Sequence, residues 1–298
     1  MNPSDIDQIR RFNRTVAERI GALNDRFLGR GRPMSESRIL WEVGTEGVDL
    51  RTLRARLNLD SGYLSRTLAS LERQGLANIE SRPDDRRVRR VHLTKAGLDE
   101  RTELERLSDG LALEILEPLS QRQREQLVTA MTEVERLLQP SFVRYAIEDP
   151  ASDDARWCIE QYFAELGKRF ESGFDPSISV PADAREMTAP NGAFIVGRLH
   201  GEAIGCVALK FHEKLPAELK RMWVSVSARG MGVGRRLLVE AEQHARQAGV
   251  SVIRLETNQA LSEAVRLYRQ AGYAEVAPFS AEPYADHWFE KELNASSR

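Results

Sequence analysis

The chain has 298 residues with 43 Lys+Arg against 45 Asp+Glu, a length that suits two domains of ordinary size and a net charge of -2 that excludes a uniformly basic or acidic protein. Cys158 and Cys206 lie in separate segments without a CxxC pair, and no apolar run of membrane length or charged-then-apolar leader follows Met1. A reduced, soluble, cytoplasmic chain with no membrane partner is expected, and the five histidines show no metal spacing, so no metal is expected either.

In chain order, Ser4-x-x-Asp7 has the form of a capping box ahead of a helical stripe of Ile6, Ile9, Val16, Ile20, Leu23 and Phe27, stopped by Gly29, Gly31 and Pro33. Arg10, Arg11, Arg14 and Arg19 read as its solvated face. A shorter helix, Glu36 to Val43, ends at Gly44. Asp49 can cap a helix carrying Leu50, Leu53 and Leu57; Asn58 to Asp60 turn the chain; a second helix begins at Ser61 with Leu64, Leu68 and Leu71 inward. That is a helix-turn-helix outline, and its outward groups, Gly62, Tyr63, Ser65, Arg66, Thr67 and Ser70, can enter a major groove without repelling phosphate. Gly75 closes the helix.

Two short strands follow, Ala77 to Ser81 and Val88 to Leu93, joined by Arg82-Pro83-Asp84-Asp85-Arg86-Arg87, a hairpin tip rich enough in guanidinium to probe a minor groove. From Arg51 to Arg90 there are ten Arg against five acids (Asp60, Glu72, Glu80, Asp84, Asp85), a local positive excess hidden in the near-neutral total. The segments Asp60-Ser61-Gly62-Tyr63-Leu64-Ser65-Arg66, Leu71-Glu72-x-x-Gly75-Leu76, Asp85-Arg86-Arg87 and Leu93-Thr94-x-x-Gly97 resemble the MarR family of winged-helix regulators. The resemblance covers about residues 1–139. It implies a homodimer built from the first helix and two late helices near Lys95 to Leu116 and Gln121 to Leu138, with each recognition helix in one half-site of a near-palindromic double-stranded DNA operator. By that likeness Ser61, Tyr63, Ser65, Arg66 and Thr67 would face bases and phosphates and Arg86 or Arg87 the minor groove, and a small phenolic or aromatic acid would be the class of effector. The plainer reading is a winged helix that makes only protein contacts.

Pro140 ends the last of these helices, and Phe142 to Ile147 can already be a strand, so the joint to residues 141–298 is short. Asp153 to Phe170 reads as a helix, Phe174 to Pro190 as irregular, and Ala193 to Leu199 with Ala203 to Phe211 as a hairpin about His200-Gly201-Glu202. Leu219 to Val226 is a strand with Met222, Val224 and Val226 on one face and Leu219 and Trp223 nearer the other. Arg229-Gly230-Met231-Gly232-Val233-Gly234 then leads into a helix marked by Leu237, Leu238, Ala241 and Ala245. Glycines let the backbone approach a ligand, the first helical amides lack partners, and Arg229, Arg235 and Arg236 surround the turn, so a phosphate-bearing cofactor is the leading expectation. A P-loop would need Lys-Ser/Thr after Gly234; a dinucleotide fingerprint fits in part, through Glu256; a bare strand-helix turn is the third reading.

The later segments bear on that choice. Arg229, Gly232 and Gly234 match Arg/Gln-x-x-Gly-x-Gly/Ala, Asn258 follows the next strand, and Leu267-Tyr268 precedes Gly272-Tyr273; here the chain resembles the GNAT family of N-acetyltransferases. The whole is thus expected to be an α+β two-domain chain: a mainly α winged helix-turn-helix over 1–139 and, over 141–298, an α/β GNAT acyltransferase fold with a mixed central sheet closed by His287 to Leu293. The resemblance implies acetyl-CoA as cosubstrate and a small amine as acceptor. The pyrophosphate would lie on the amides of Gly230, Met231, Gly232, Val233, Gly234 and Arg235, and the pantetheine beside Val224, Ser225 and Val226, with Arg229 and Asn258 nearby.

Acetyl transfer needs an oxyanion donor, an acid for the departing thiolate and a base for the amine. Val224 can give a backbone N–H, Tyr268 matches the family's proton donor, and Glu218, slightly preferred, or Glu256 could take the amine proton. Phe174 to Pro190 and Phe279 to His287 are expected at the acceptor entrance, with His287 packed there or lining it. Three functions fit the sequence: a DNA-binding regulator fused to an active N-acetyltransferase, a regulator whose second half only senses acetyl-CoA or another ligand, and a protein acetyltransferase recruited by its winged helix.

Overall fold

A computed structural model describes residues 2–22, 27–81, 89–171, 173–179, 183–213 and 216–293. It divides into two units, Met1–Thr132 and Glu133–Arg298, a division that falls a few residues before Pro140.

In the first unit, helix α1 (Pro3–Arg19) is capped by Asn2, whose side chain accepts from the Ser4 N–H at 3.1 Å, and not by the expected Ser4 box. Pro3 accounts for the shift: it lacks an N–H and has φ preset for a first helical position, so the cap falls one residue earlier. The helix stops at Arg19; Phe27 belongs to a separate 3-10 turn, and Leu23 lies outside the described residues. α1 buries no residue, leaving Ile6, Ile9, Phe12 and Val16 exposed.

Helix α2 (Met34–Val43) closes at Gly44. Strand β1 (Val48–Asp49), too short to show a period in the sequence, follows; Asp49 pairs with Arg90 and makes no side-chain cap to helix α3 (Leu50–Leu57). Helix α4 (Ser61–Arg73) is capped by Asp60, which accepts from the Tyr63 N–H at 2.8 Å. Strands β2 (Ala77–Ser81) and β3 (Arg89–Leu93) complete a sheet of order β1-β3-β2. Helix α5 (Lys95–Leu116) starts at Thr94, whose hydroxyl accepts from the Gly97 N–H, and a Cβ on Gly97 would stand 2.0 Å from the Leu76 carbonyl oxygen. That close approach explains why a glycine follows β3 here. Helix α6 (Gln121–Leu138), whose last six residues fall past the division, buries nothing; the core of the first unit gathers Ile39, Leu40, Leu53, Leu64, Leu68, Leu71 and Val91.

The second unit is built on a seven-stranded sheet of order β4-β5-β6-β7-β8-β10-β9. Its elements in chain order are β4 (Val143–Glu148), α7 (Asp153–Arg169), β5 (Gly192–Leu199), β6 (Glu202–Lys210), β7 (Ala217–Val224), α8 (Val233–Gln247), β8 (Val252–Thr257), α9 (Ser262–Gln270), β9 (Ala274–Glu275) and β10 (His287–Glu292). The β5/β6 hairpin turns on His200 and Gly201, both at positive φ, which matches the twist of paired strands. Alternation divides the side chains. Ile195, Val207 and Leu209 pack with Leu237, Leu238, Ala241 and Ala245 of α8, whereas Phe194, Val196 and Cys206 pack with Ala155 and Cys158 of α7. Both cysteines are buried and unlinked.

Two irregularities interrupt this sheet near its middle. β7 and β8 are the parallel pair in an otherwise antiparallel sheet, and their register holds only at Ala217↔Ile253 and Glu218↔Arg254. Beyond Glu218 the two strands part. β7 also bulges: Lys220 pairs with Ala208 and Trp223 with Cys206, leaving Arg221 at φ 54. The expected division of faces is corrected accordingly. The bulge puts Leu219 in the same cluster as Met222 and Val224, opposite Trp223, while Val226 lies past the strand end and is exposed.

Candidate functional site

The parted strands and the loop after β7 form one groove. Gly230 (φ 79) and Gly232 (φ 77) take the left-handed turns that aim the chain into α8, with Gly232 as its N-cap. The groove, about 440 Å³, runs between Val224, Arg229, Gly230, Gly232, Val233, Gly234 and Arg235 on one side and Leu261, Ala264 and Leu267 on the other. The Met231 side chain is buried in the core, so only its backbone faces outward. Ser225 Oγ is paired with Ser227 Oγ at 3.1 Å. Arg229 is tied inward: its Nε and Nη2 donate to the Val224 carbonyl, both at 3.2 Å, and Nη2 also to Glu165. Glu165, an α7 side chain that also receives the Trp223 indole N–H at 3.0 Å, belongs to no motif and carries no signal in the sequence.

Backbone alternation fixes one donor. The Ser225 N–H donates to the Ile204 carbonyl at 2.9 Å, while Val224 stands opposite Gly205. Val224 and Gly205 are therefore the non-bonded pair, and the Val224 N–H points away from β6, to the side that β8 has left.

On the far side of that opening is Tyr268, buried on α9 against Tyr273 and Phe289. Among the described residues its hydroxyl has one hydrogen-bond partner, the thioether sulfur of Met222 at 3.5 Å. Burial, with the nearby Tyr162 adding to it, pushes the phenol well above its usual range, so it holds its proton. A second, smaller cavity adjoins the groove through Tyr162, Leu166, Met222, Leu261 and Ala264, and Tyr268 lines it.

The two candidate carboxylates separate here. Glu256 lines the smaller cavity, accepting hydrogen bonds from Lys220 Nζ and Ser280 Oγ; Ser280 in turn receives the Trp288 indole N–H at 3.1 Å. Glu218, one strand over and set back from the lining, receives Arg254 at 2.6 Å and lies 3.6 Å from Lys220 and 3.4 Å from His212. Neither Lys220 nor Ser280 stands out in the sequence, because the place of each depends on strand pairing. Asn258 lines the smaller cavity and not the groove; its amide donates to the Tyr284 carbonyl at 2.7 Å and its oxygen accepts from the Ala260 N–H. His287 bonds to Glu275 at 2.6 Å and lines neither space.

Burial raises the Glu218 carboxyl, but the Arg254 hydrogen bond and the charges of Lys220, Arg254 and His212 outweigh it, leaving the group below the ordinary carboxylate range. A lowered folded value stabilises the fold above the unfolded value, about 4.3, and that contribution is lost as pH falls through the lowered one. Glu218→Gln should therefore have a lower thermal midpoint than the parent at pH 7, and the gap should narrow as pH falls below about 4. Midpoints measured from pH 7 to pH 3 check this; a gap independent of pH would remove the carboxylate's electrostatic role.

In the first unit, Ser61, Ser65 and Arg66 are exposed on α4 and Tyr63 is half-buried. Thr67 departs from expectation: it is buried, and its hydroxyl donates to the Tyr63 carbonyl at 3.0 Å. Spacing gives the reason, since Thr67 falls three residues after Leu64 and four before Leu71, on the inner stripe. Arg86 and Arg87 lie outside the described residues.

Comparison with known proteins places these two units. Residues 154–273 match the acetyltransferase (GNAT) family and residues 30–88 the MarR family. The chain is 35% identical over 143 residues to an IAA acetyltransferase of Azospirillum brasilense, spanning 48% of this chain and 90% of that protein. It is 32% identical over 134 residues to an uncharacterized N-acetyltransferase of Schizosaccharomyces pombe, spanning 44% of this chain and 81% of the other. A crystal structure of a GNAT-family acetyltransferase from Staphylococcus aureus Mu50 is similar over 51% of this chain and 99% of its own, at a TM-score of 0.42 and 16% identity. Among the described residues no group of three or more His, Cys, Asp or Glu could hold a metal ion, and no helix is long and apolar enough to cross a membrane.

Proposed function

Since this chain belongs to the acetyltransferase (GNAT) family, whose donor is acetyl-CoA, and carries a MarR-family domain ahead of it, we propose that it is an N-acetyltransferase of a small amine joined to a dimeric DNA-binding regulator. The observation that carries the enzymatic half is the parting of β7 from β8, with the Val224 N–H on one side and the Tyr268 hydroxyl on the other.

Acetyl-CoA would lie in the groove with its diphosphate on the amides around Gly230 to Arg235 and its pantetheine along Val224 to Val226. A neutral amine in the smaller cavity attacks the thioester carbon, forming a C–N bond, and the oxygen charge that develops is met by the Val224 N–H. Collapse breaks the C–S bond; the departing thiolate takes the Tyr268 proton, and the amine proton passes to Glu256. The Tyr268 hydroxyl already rests on a thioether sulfur, so a cofactor sulfur in that place would meet a donor with no oxygen acceptor to give up. Glu256 is favoured over Glu218 because it lines the cavity shared with Tyr268. Turnover of acetyl-CoA with release of free thiol, measured over a panel of primary amines, tests this; tight CoA binding without release over any amine would reduce the second unit to a sensor.

The regulatory half rests on α4. Two copies paired through the exposed apolar face of α1 would present two such helices to a near-palindromic operator, and a small-ligand response would be read as a shift in operator affinity. Arg66→Ala should weaken binding to the DNA upstream of its own coding sequence by about tenfold and reduce the dependence on salt, measured by titration at several ionic strengths. An unchanged affinity and slope would take Arg66 off the DNA.

A further inference from the structure

A regular strand sends alternate side chains to opposite faces, yet four consecutive residues of β7, Leu219, Lys220, Arg221 and Met222, line the smaller cavity. The left-handed Arg221 breaks the alternation, and a bulky side chain held at φ 54 is a strained choice that marks functional positions more often than plain packing. Its guanidinium lies over the ring of Phe163, 4.7 Å from the centroid, and 5.8 Å from that of Tyr162, whose hydroxyl it also hydrogen-bonds. The surrounding cations are spoken for: Lys220 by Glu256, Arg254 by Glu218, Arg169 by Glu263, Arg229 by Glu165. Among the described residues Arg221 has no carboxylate within ion-pair distance. The cavity's own acids are engaged, Glu256 by Lys220 and Ser280, Glu282 by the Ser179 hydroxyl at 2.9 Å and the Tyr284 N–H at 3.3 Å.

A planar cation set against aromatic rings, with a tyrosine hydroxyl and no protein carboxylate as partner among the described residues, is suited to receive a carboxylate. Arg221 lines the same small cavity as Glu256 and Tyr268, so an anion held there shares one space with the proposed base and acid. The far wall carries Phe170, Phe174 and Tyr284. We propose that the acceptor is an α-amino acid with an apolar side chain, its carboxylate held by Arg221, its amine turned to the thioester and its side chain against those rings. This rests on the acetyltransferase reading of the same site and narrows it to one substrate class.

Binding and turnover are measured separately, so that the two readings can fail apart. Protein saturated with CoA is titrated calorimetrically with phenylalanine and leucine, and with phenethylamine and isoamylamine, which keep the amine and side chain and lack the carboxylate. At least one amino acid should bind about tenfold or more tighter than its matching amine, as a charge-assisted pair lost from a partly buried site requires. In Arg221→Gln that difference should collapse, and Arg221→Lys should keep part of it; CoA affinity in each variant reports that the fold is intact. Equal binding of acid-bearing and acid-free ligands, no binding of any of them, or an undiminished preference in Arg221→Gln would overturn the assignment. Binding with the expected preference but no acetyl transfer would leave the Arg221 site standing and refute the enzyme.

Discussion

Tyr268→Phe should lower acetyl transfer by about a hundredfold to ten-thousandfold, the range that a positioned general acid supplies, with CoA affinity changed by less than about threefold. The expectation follows from what the hydroxyl touches. Its ring is packed against Tyr273 and Phe289 and is kept by Phe, so the core should be undisturbed, while the single lost atom is the one that rests on Met222. Burial holds the phenol in its protonated form across the range in which enzymes work. The profile of kcat against pH should thus show no fall on the alkaline side that Tyr268→Phe removes; the acid-side limb belongs to the amine and its base. Steady-state thiol release from pH 6 to pH 9 measures both effects. A variant with parental kcat would show that the thiolate leaves without help from this group.

Gly232→Val carries the second large effect, a loss of about a hundredfold or more in CoA affinity. At φ 77 a branched residue is opposed by its own backbone at a cost of roughly 1–2 kcal/mol, and relaxing that strain would turn the first amides of α8 away from a bound diphosphate. Among the described residues nothing beyond the adjoining backbone lies within 4 Å of the added Cβ, so the damage should fall on ligand binding and only modestly on folding. Calorimetric titration with CoA beside a thermal melt separates the two. Parental affinity in Gly232→Val would mean that the diphosphate rests elsewhere.

How much of this is legible in the sequence depends on whether a feature is local. The Ser61 start and inward leucines of α4 and the Gly232 turn are written in short spacings, and α5 and α6 fall where the MarR resemblance implies, whereas the starts of α1 and α3 are capped otherwise than their spacings suggest. The slight preference for Glu218 is reversed because both acids sit on the strands either side of the glycine loop and α8, and only the pairing of β8 with β7 and β10 puts Glu256 on the cavity and Glu218 among cations. Thr67 misleads for a subtler reason, since a hydroxyl on an inner stripe looks like an outward polar group until its back-bond to Tyr63 is seen. Arg221 carries no signal at all. A bulge is a mismatch between two strands, and β7 alone does not contain it.

The placement of the thiols gives the chain a built-in reporter. Both cysteines belong to Glu133–Arg298 and are sealed beneath α7 and the sheet, and Met1–Thr132 contains none. The speed at which a thiol-reactive dye modifies the native protein is therefore set by how often that one unit opens. Ligand-induced tightening of Glu133–Arg298 can be timed without any contribution from Met1–Thr132.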